Sequence, residues 1–199
     1  MAIFWRIIAQ ESNQFISPSF IISLINMQSI RGTKDILPGE IHGWHTVEDR
    51  IRHITSLYGY RELRNPIMEY TEVFKRAVGE DTDIVGKEMY SFPDRGGDSI
   101  TLRPEATAAV VRSAIQHNLT AQQQIARVYY SGPFFRYERP QKGRQRQFHQ
   151  FGCELLGASG PEADIEILAL AHDFLESLGI KSRELHINTL ATPEIRQQF

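Results

Sequence analysis

One cysteine, Cys153, is all the 199-residue sequence holds, so no internal disulfide can form, which fits a reducing compartment such as the cytoplasm. An excess of one charge is missing too. Lys and Arg number 22 against 24 Asp and Glu, and the formal net charge of −2 excludes a uniformly basic nucleic-acid binder while permitting a local basic patch. The most apolar stretch, Phe20 to Ile25, is far short of the roughly twenty residues that a bilayer span needs, so no membrane association is expected. A phosphate-binding loop of the GxxxxGKS kind is absent, and any nucleotide must be held by another architecture. Seven histidines invite a metal reading, yet none pairs with an acid or a cysteine at ligand spacing. Glu80, Asp81 and Asp83 lack the spacing of a Ca²⁺-binding hand and read as a solvated loop.

What is present centres on Phe134 to Glu154. Two short strand-like segments flank a loop that carries Arg139, Lys142, Arg144 and Arg146 and no carboxylate. Alternate side chains of a strand share a face. Phe134, Arg136 and Glu138 therefore fall together, as do Phe148, Gln150, Gly152 and Glu154 on the return. The other face of the return segment holds His149, Phe151, Cys153 and Leu155, mostly what a packed core wants. One face is polar and specific, with a glycine leaving room, which suits a ligand with anionic and cationic parts. Alternation of this kind is equally what any half-buried hairpin with a solvated face shows.

The rest of the chain reads as α+β. Residues 1–26 match nothing that follows and read as a disordered leader or an over-extended start before Met27. After an irregular lead-in, Ile30 to Pro38, apolar steps at Trp44, Val47, Ile51, Ile54 and Tyr58 predict a helix from Gly39 to Tyr58, capped by Gly59. A strand broken at Pro66 should run from Tyr60 to Met68, and a hairpin should join Met89–Phe92 to Ser99–Leu102. Pro104 suits the first position of a helix reaching to Leu119, with Glu105 in its first turn. A further helix is expected from Pro161 to Leu178, a strand from Glu184 to Thr189, and a helix after Thr192.

The run Phe135-Arg136-Tyr137-Glu138-Arg139 resembles motif 2 of the class II aminoacyl-tRNA synthetases. Its continuation through Gln147-Phe148-His149-Gln150-Phe151-Gly152-Cys153-Glu154 is similar to the histidyl-tRNA synthetase version. The helix, strand and proline of Gly39–Met68 look like motif 1, and Arg103-Pro104-Glu105-x-Thr107 resembles the segment that reaches the amino-acid pocket. The resemblance implies a class II synthetase-like antiparallel sheet flanked by helices, incomplete at the C-terminus. Residues 27–199 would be the N-terminal part of the catalytic domain, with motifs 1 and 2 and without motif 3 or an anticodon-binding domain.

The same resemblance implies a histidine–tRNA ligase that forms histidyl-adenylate and transfers histidine to tRNA(His), as a homodimer built on Gly39–Met68. ATP is the co-substrate, with Mg²⁺ on its phosphates and no metal held by the protein itself. Arg136 would be catalytic and would bridge the histidine carboxylate and the α-phosphate. Glu138, Arg144 and Phe148 would hold the rest of ATP. Glu105, Thr107, Gln150 and Glu154 would hold histidine. Two other classes stay open: the synthetase-like, histidine-binding regulatory subunit of ATP phosphoribosyltransferase, and a plain nucleic-acid module using the basic loop. Lacking motif 3 and a second catalytic arginine, the 199-residue chain alone should be inactive in histidine-dependent pyrophosphate exchange; robust exchange by the purified chain would refute this.

Overall fold

A computed structural model describes residues 28–79, 82–121 and 125–187. The leader, Glu80 and Asp81, and the chain from 188 onward with its expected helix lie outside the described residues. Helix α1, Ile41–Leu57, buries Ile51 and Ile54 of its apolar stripe with Thr55 beside them, whereas Val47, expected in the stripe, stays exposed one turn before the packed part of the helix. It stops where Gly59 takes a φ of +75°, a conformation open to glycine at little cost. The strand expected over Tyr60–Met68 is in fact two, β1 (Arg61–Glu62) and β2 (Met68–Tyr70), in different sheets. Pro66 lies between them, where a residue without an N–H interrupts no ladder.

Helix α2 (Thr71–Val78) and a π-helical turn (Ile84–Glu88) lead to β3 (Tyr90–Pro93) and β4 (Ser99–Leu102). These pair antiparallel with β2 in the order β2-β4-β3. Helix α3 spans Thr107–Gln116, so Pro104 and Glu105 precede the helix instead of opening it. Strands β5 (Ala126–Phe135) and β6 (Gln147–Leu156) are ten residues each, longer than the pattern predicted, and are followed by α4 (Pro161–Ser177). Their sheet has the order β1-β5-β6, with β1 parallel to β5 and β5 antiparallel to β6.

The β5–β6 register sets Phe134 opposite Phe148, Gly132 opposite Gln150, Tyr130 opposite Gly152 and Val128 opposite Glu154. Directly opposed residues share a face. The odd-numbered face carries Tyr129, Phe151 and Cys153 against Ile51 and Ile54 of α1 and Leu170 of α4, as the alternation predicts. Arg127 clamps α4 to this sheet with two 2.8 Å hydrogen bonds to Glu166, which also accepts from the Tyr60 hydroxyl. Cys153 is packed here, and burial pushes its thiol up to about 12, so it is no nucleophile.

The even-numbered face departs from expectation. It is not simply polar. Val128, Tyr130 and Phe134 form a second core with Ala106 and Val110, and Phe134 is 0% exposed. The longer β5 accounts for this, because α3 needs an apolar surface to cover. The strand expected over Glu184–Thr189 is also absent from 184–187, where Leu185 and Ile187 are 67% and 73% exposed and no partner strand is paired. A strand needs a neighbour to satisfy its backbone groups.

Gly152 shows how tightly the even face is filled. A Cβ there would lie 2.3 Å from the Tyr130 hydroxyl oxygen and 2.4 Å from its ring carbon. The room left by the glycine is thus occupied by this phenol. Gly152→Ala is expected to cost about 1–3 kcal/mol through overpacking, measured as a lower Tm in thermal denaturation.

Candidate functional site

The site residues fall into three groups, and Glu138, expected on the strand face with Phe134 and Arg136, lies beyond the strand, where its N–H turns back onto Arg136 O at 2.8 Å and ends the alternation. At the loop end, Arg136 lies one residue past β5, yet it keeps the ladder going by donating its N–H to Arg146 O at 3.0 Å. Its Nε donates to Pro104 O at 2.9 Å, and its guanidinium carbon sits 5.2 Å from the Phe148 ring centroid. The cation is therefore aimed by a backbone carbonyl and stacked on an aromatic face. Phe148 in turn leans on buried Phe134, with centroids 6.1 Å apart.

Glu138 and Arg144 form the second group, across the neck of the basic loop. Arg144 reaches Glu138 Oε2 at 3.3 Å, but 63% of the Arg144 side chain is exposed, so this pair contributes little. Arg139 and Lys142 have no carboxylate partner among the described residues. The loop therefore keeps a strong positive field. Its tip is a tight turn, with Gln141 and Arg144 exchanging two backbone hydrogen bonds around Gly143 at φ +81°.

The third group lies at the far end of β6. The Thr107 hydroxyl donates to Glu154 Oε1 at 2.8 Å, joining the first residue of α3 to the sheet. Burial raises the Glu154 carboxyl above its ordinary value, and the Thr107 hydrogen bond only partly opposes this. Glu105 accepts the Ala108 N–H at 3.0 Å and so acts as a cap for α3. The helix-dipole role expected inside the first turn is replaced by a side-chain bond from just outside it. Between the groups, the Gln150 Oε1 is buried with no hydrogen-bond partner among the described residues. Such an acceptor costs free energy unless a donor arrives.

Two neighbours were not evident from the sequence pattern. Tyr130 lies beside Thr107 and Glu154, with its phenol pushed up to about 12 by burial. Arg103, 6% exposed, has no carboxylate partner among the described residues; it donates to Pro133 O and Asn65 O and lies 4.4 Å over Phe134. Burial lowers its pKa from the usual arginine value. Tyr130 sits in the even phase of β5, so a strand started at Ala126 would have revealed it. Arg103 gives no such signal, because its partners are carbonyls distant in sequence.

Six residue steps at about 3.4 Å each place Phe148 and Glu154 roughly 20 Å apart. One end offers cations and an aromatic platform, the other a desolvated carboxylate and hydroxyls. This arrangement can bind an elongated molecule with an anionic, aromatic part and a hydrogen-bond-donating part. No group of three or more His, Cys, Asp and Glu able to hold a metal occurs among the described residues. None of their helices is long and apolar enough to cross a membrane.

Similarity to known proteins extends over most of the chain. A family profile described as histidyl-tRNA synthetase matches residues 32–193. A histidine–tRNA ligase of Gloeothece citriformis is 55% identical over 173 residues, covering 87% of this chain and 40% of that protein. One of Geobacter sulfurreducens is 51% identical over 170 residues, covering 85% and 41%. The chain thus spans about two-fifths of the length of these curated relatives. The apo histidyl-tRNA synthetase of S. aureus superposes with a TM-score of 0.66 at 42% identity, over 78% of this chain and 35% of that one. A Bacillus halodurans chain described as an ATP phosphoribosyltransferase regulatory subunit/histidyl-tRNA synthetase also gives 0.66, at 26% identity, over 77% and 38%.

A raised carboxyl pKa means that folding disfavours the charged form of Glu154 relative to the unfolded chain. Its penalty is absent below the ordinary carboxylate range, grows as pH rises from there to the folded-state titration and is constant above it. Glu154→Gln removes the buried charge while keeping an acceptor for Thr107. The Tm gain of this variant over the parent should be near zero at low pH and should increase toward neutrality; a pH-independent difference in thermal melts would contradict the assignment.

Proposed function

The chain belongs to the histidyl-tRNA synthetase family, and on that premise we propose that it supplies the front part of a histidine–tRNA ligase catalytic domain. That enzyme activates histidine with ATP and transfers it to tRNA(His). The observation that carries the reading is the single face shared by Arg136 over Phe148 and by Glu154 with Thr107.

Histidine's carboxylate is already a nucleophile, so the reaction needs alignment and charge absorption at the α-phosphorus more than it needs a protein base. Arg136 bridges the attacking carboxylate and the α-phosphate with its planar fork, while its Nε stays fixed on Pro104 O. Phe148 stacks on adenine, Glu138 accepts from the adenine amino group, and Arg144 meets the outer phosphates. No protein side chain is assigned to Mg²⁺, which would be held by the phosphates and water and would offset part of their charge.

At the far end, Glu154 accepts the imidazole N–H. A desolvated carboxylate left unpaired by an analogue without that donor is the basis for rejecting it. The orphaned Gln150 Oε1 accepts from the α-ammonium group, together with Glu105 and Thr107. A second copy docks through the 39–68 region, where Ile67, Met68 and the neighbouring Tyr70 expose apolar surface. Assembly with the remainder of the catalytic domain, binding of tRNA(His) and a cytoplasmic location belong to the same proposal.

A histidine-binding regulatory subunit of ATP phosphoribosyltransferase is the second reading, favoured by the doubly described Bacillus halodurans neighbour. A histidine sensor has no use for Arg136, Glu138, Arg144 and Phe148 as an ATP site. Equilibrium dialysis of the full chain against histidine and against Mg·ATP separates the readings. A ligase fragment binds both, and Arg136→Lys, which loses the bidentate fork, weakens ATP binding by about tenfold or more. Binding of histidine alone supports the regulatory reading. Binding of neither, with salt-steep nucleic-acid binding instead, overturns both.

A further inference from the structure

The basic loop needs an external restraint. Arg139, Lys142, Arg144 and Arg146 repel one another within one short segment, and Glu138 answers only one of them across 3.3 Å. The loop lies outside both cores, and its tip turn holds only Gln141 to Arg144. Something else must fix its two limbs.

Residues 30–33 do so. The Thr33 N–H and Oγ1 both donate to Ile30 O, at 2.9 and 2.8 Å, closing a four-residue turn. Gly32, at its third position, has a φ of +87°, the value a type II turn demands there and other residues resist. The turn thereby presents the Gly32 carbonyl to the start of β6, where it accepts from the Arg146 N–H at 2.7 Å and the Gln147 N–H at 3.1 Å. The missing side chain matters as well. A Cβ on Gly32 would lie 2.8 Å from Arg146 Cγ and 3.0 Å from Pro140 Cγ, so the glycine touches both limbs of the loop.

Arg146, held in this way, carries the restraint inward. Its Nε reaches Glu138 O at 3.3 Å, and its guanidinium stacks 4.3 Å over the Tyr137 ring. Tyr137 is separately held by its N–H on Glu88 O at 2.7 Å and by an edge contact with Tyr90. The first limb is thus anchored from the 88–90 region and the second by the Gly32 carbonyl.

We propose that the Ile30–Thr33 turn is a positioning hook for the nucleotide end of the site: it locks the neck of the basic loop so that Glu138 and Arg144 are held in register with Phe148. What the loop binds rests on the function proposed above; the mechanical coupling does not.

The test uses Gly32→Ala in the full chain, with Ser29→Ala as a control in the same N-terminal region, where the side chain is exposed. Hydrogen exchange should show Arg146 and Gln147 losing protection by about tenfold, the scale of one or two hydrogen bonds, with tryptic cleavage after Lys142 and Arg144 rising in parallel. Protection over β5 and the remainder of β6 should stay at the parent level. In dialysis, Mg·ATP should bind about tenfold more weakly to the variant while histidine affinity is unchanged, a split that general destabilisation does not produce. Unaltered exchange and cleavage of the loop, or equal loosening of the core strands, overturns the hook. A loosened loop in a chain whose parent binds no ATP upholds the hook and removes the nucleotide reading instead.

Discussion

Ten residues of β5 pair with ten of β6, and since side chains alternate, this one ladder assigns each of them to a face. A slip of one residue would move Phe148, Gln150 and Glu154 onto α1 and α4, and would drive Phe151 and Cys153 into the site. Both faces are loaded, so the register is specified twice. Tyr129 and Phe151 are committed to the core under α1 and α4, and Val128, Tyr130 and Phe134 to the core under α3. The site inherits its geometry from this double commitment.

Around the ladder, short backbone contacts place the charged groups. The 103–105 segment crosses the end of β5, where Phe135 N–H donates to Arg103 O and Arg136 Nε to Pro104 O. Buried Arg103 ties the same crossing to Pro133 and Asn65 without a carboxylate. A full ion pair at that point would neutralise the charge. Carbonyl dipoles and an aromatic ring leave it cationic at reduced desolvation cost.

Polar satisfaction differs along the site. Arg136 has a partner for its Nε, and Thr107 has Glu154. Gln150 Oε1 has no donor among the described residues, and burial disfavours the charged form of Glu154. Groups left in that state favour a ligand that donates hydrogen bonds, because binding relieves a cost already present in the folded chain.

Much was legible from residue order. The helical stripe of Trp44 to Tyr58, the Pro161 start and Gly179 stop of α4, and the apolar phase of Phe151 and Cys153 follow from local periods of 3.6 and 2, which sequence encodes directly. So does the placement of Arg136, Phe148, Gln150 and Glu154 toward one face, since a single register carries them together. What local pattern could not decide depended on partners far along the chain. Whether Gly152 leaves room for a ligand or for Tyr130, whether 184–187 finds a strand to pair with, and whether Glu105 caps α3 from outside are settled by which segments meet. So is the meeting of Gly32 with Arg146, more than a hundred residues away, where one carbonyl and one absent side chain set the position of the basic loop. Backbone and side-chain periodicity is a property of neighbours in sequence; space, desolvation and hydrogen-bond partnership are properties of neighbours in the fold.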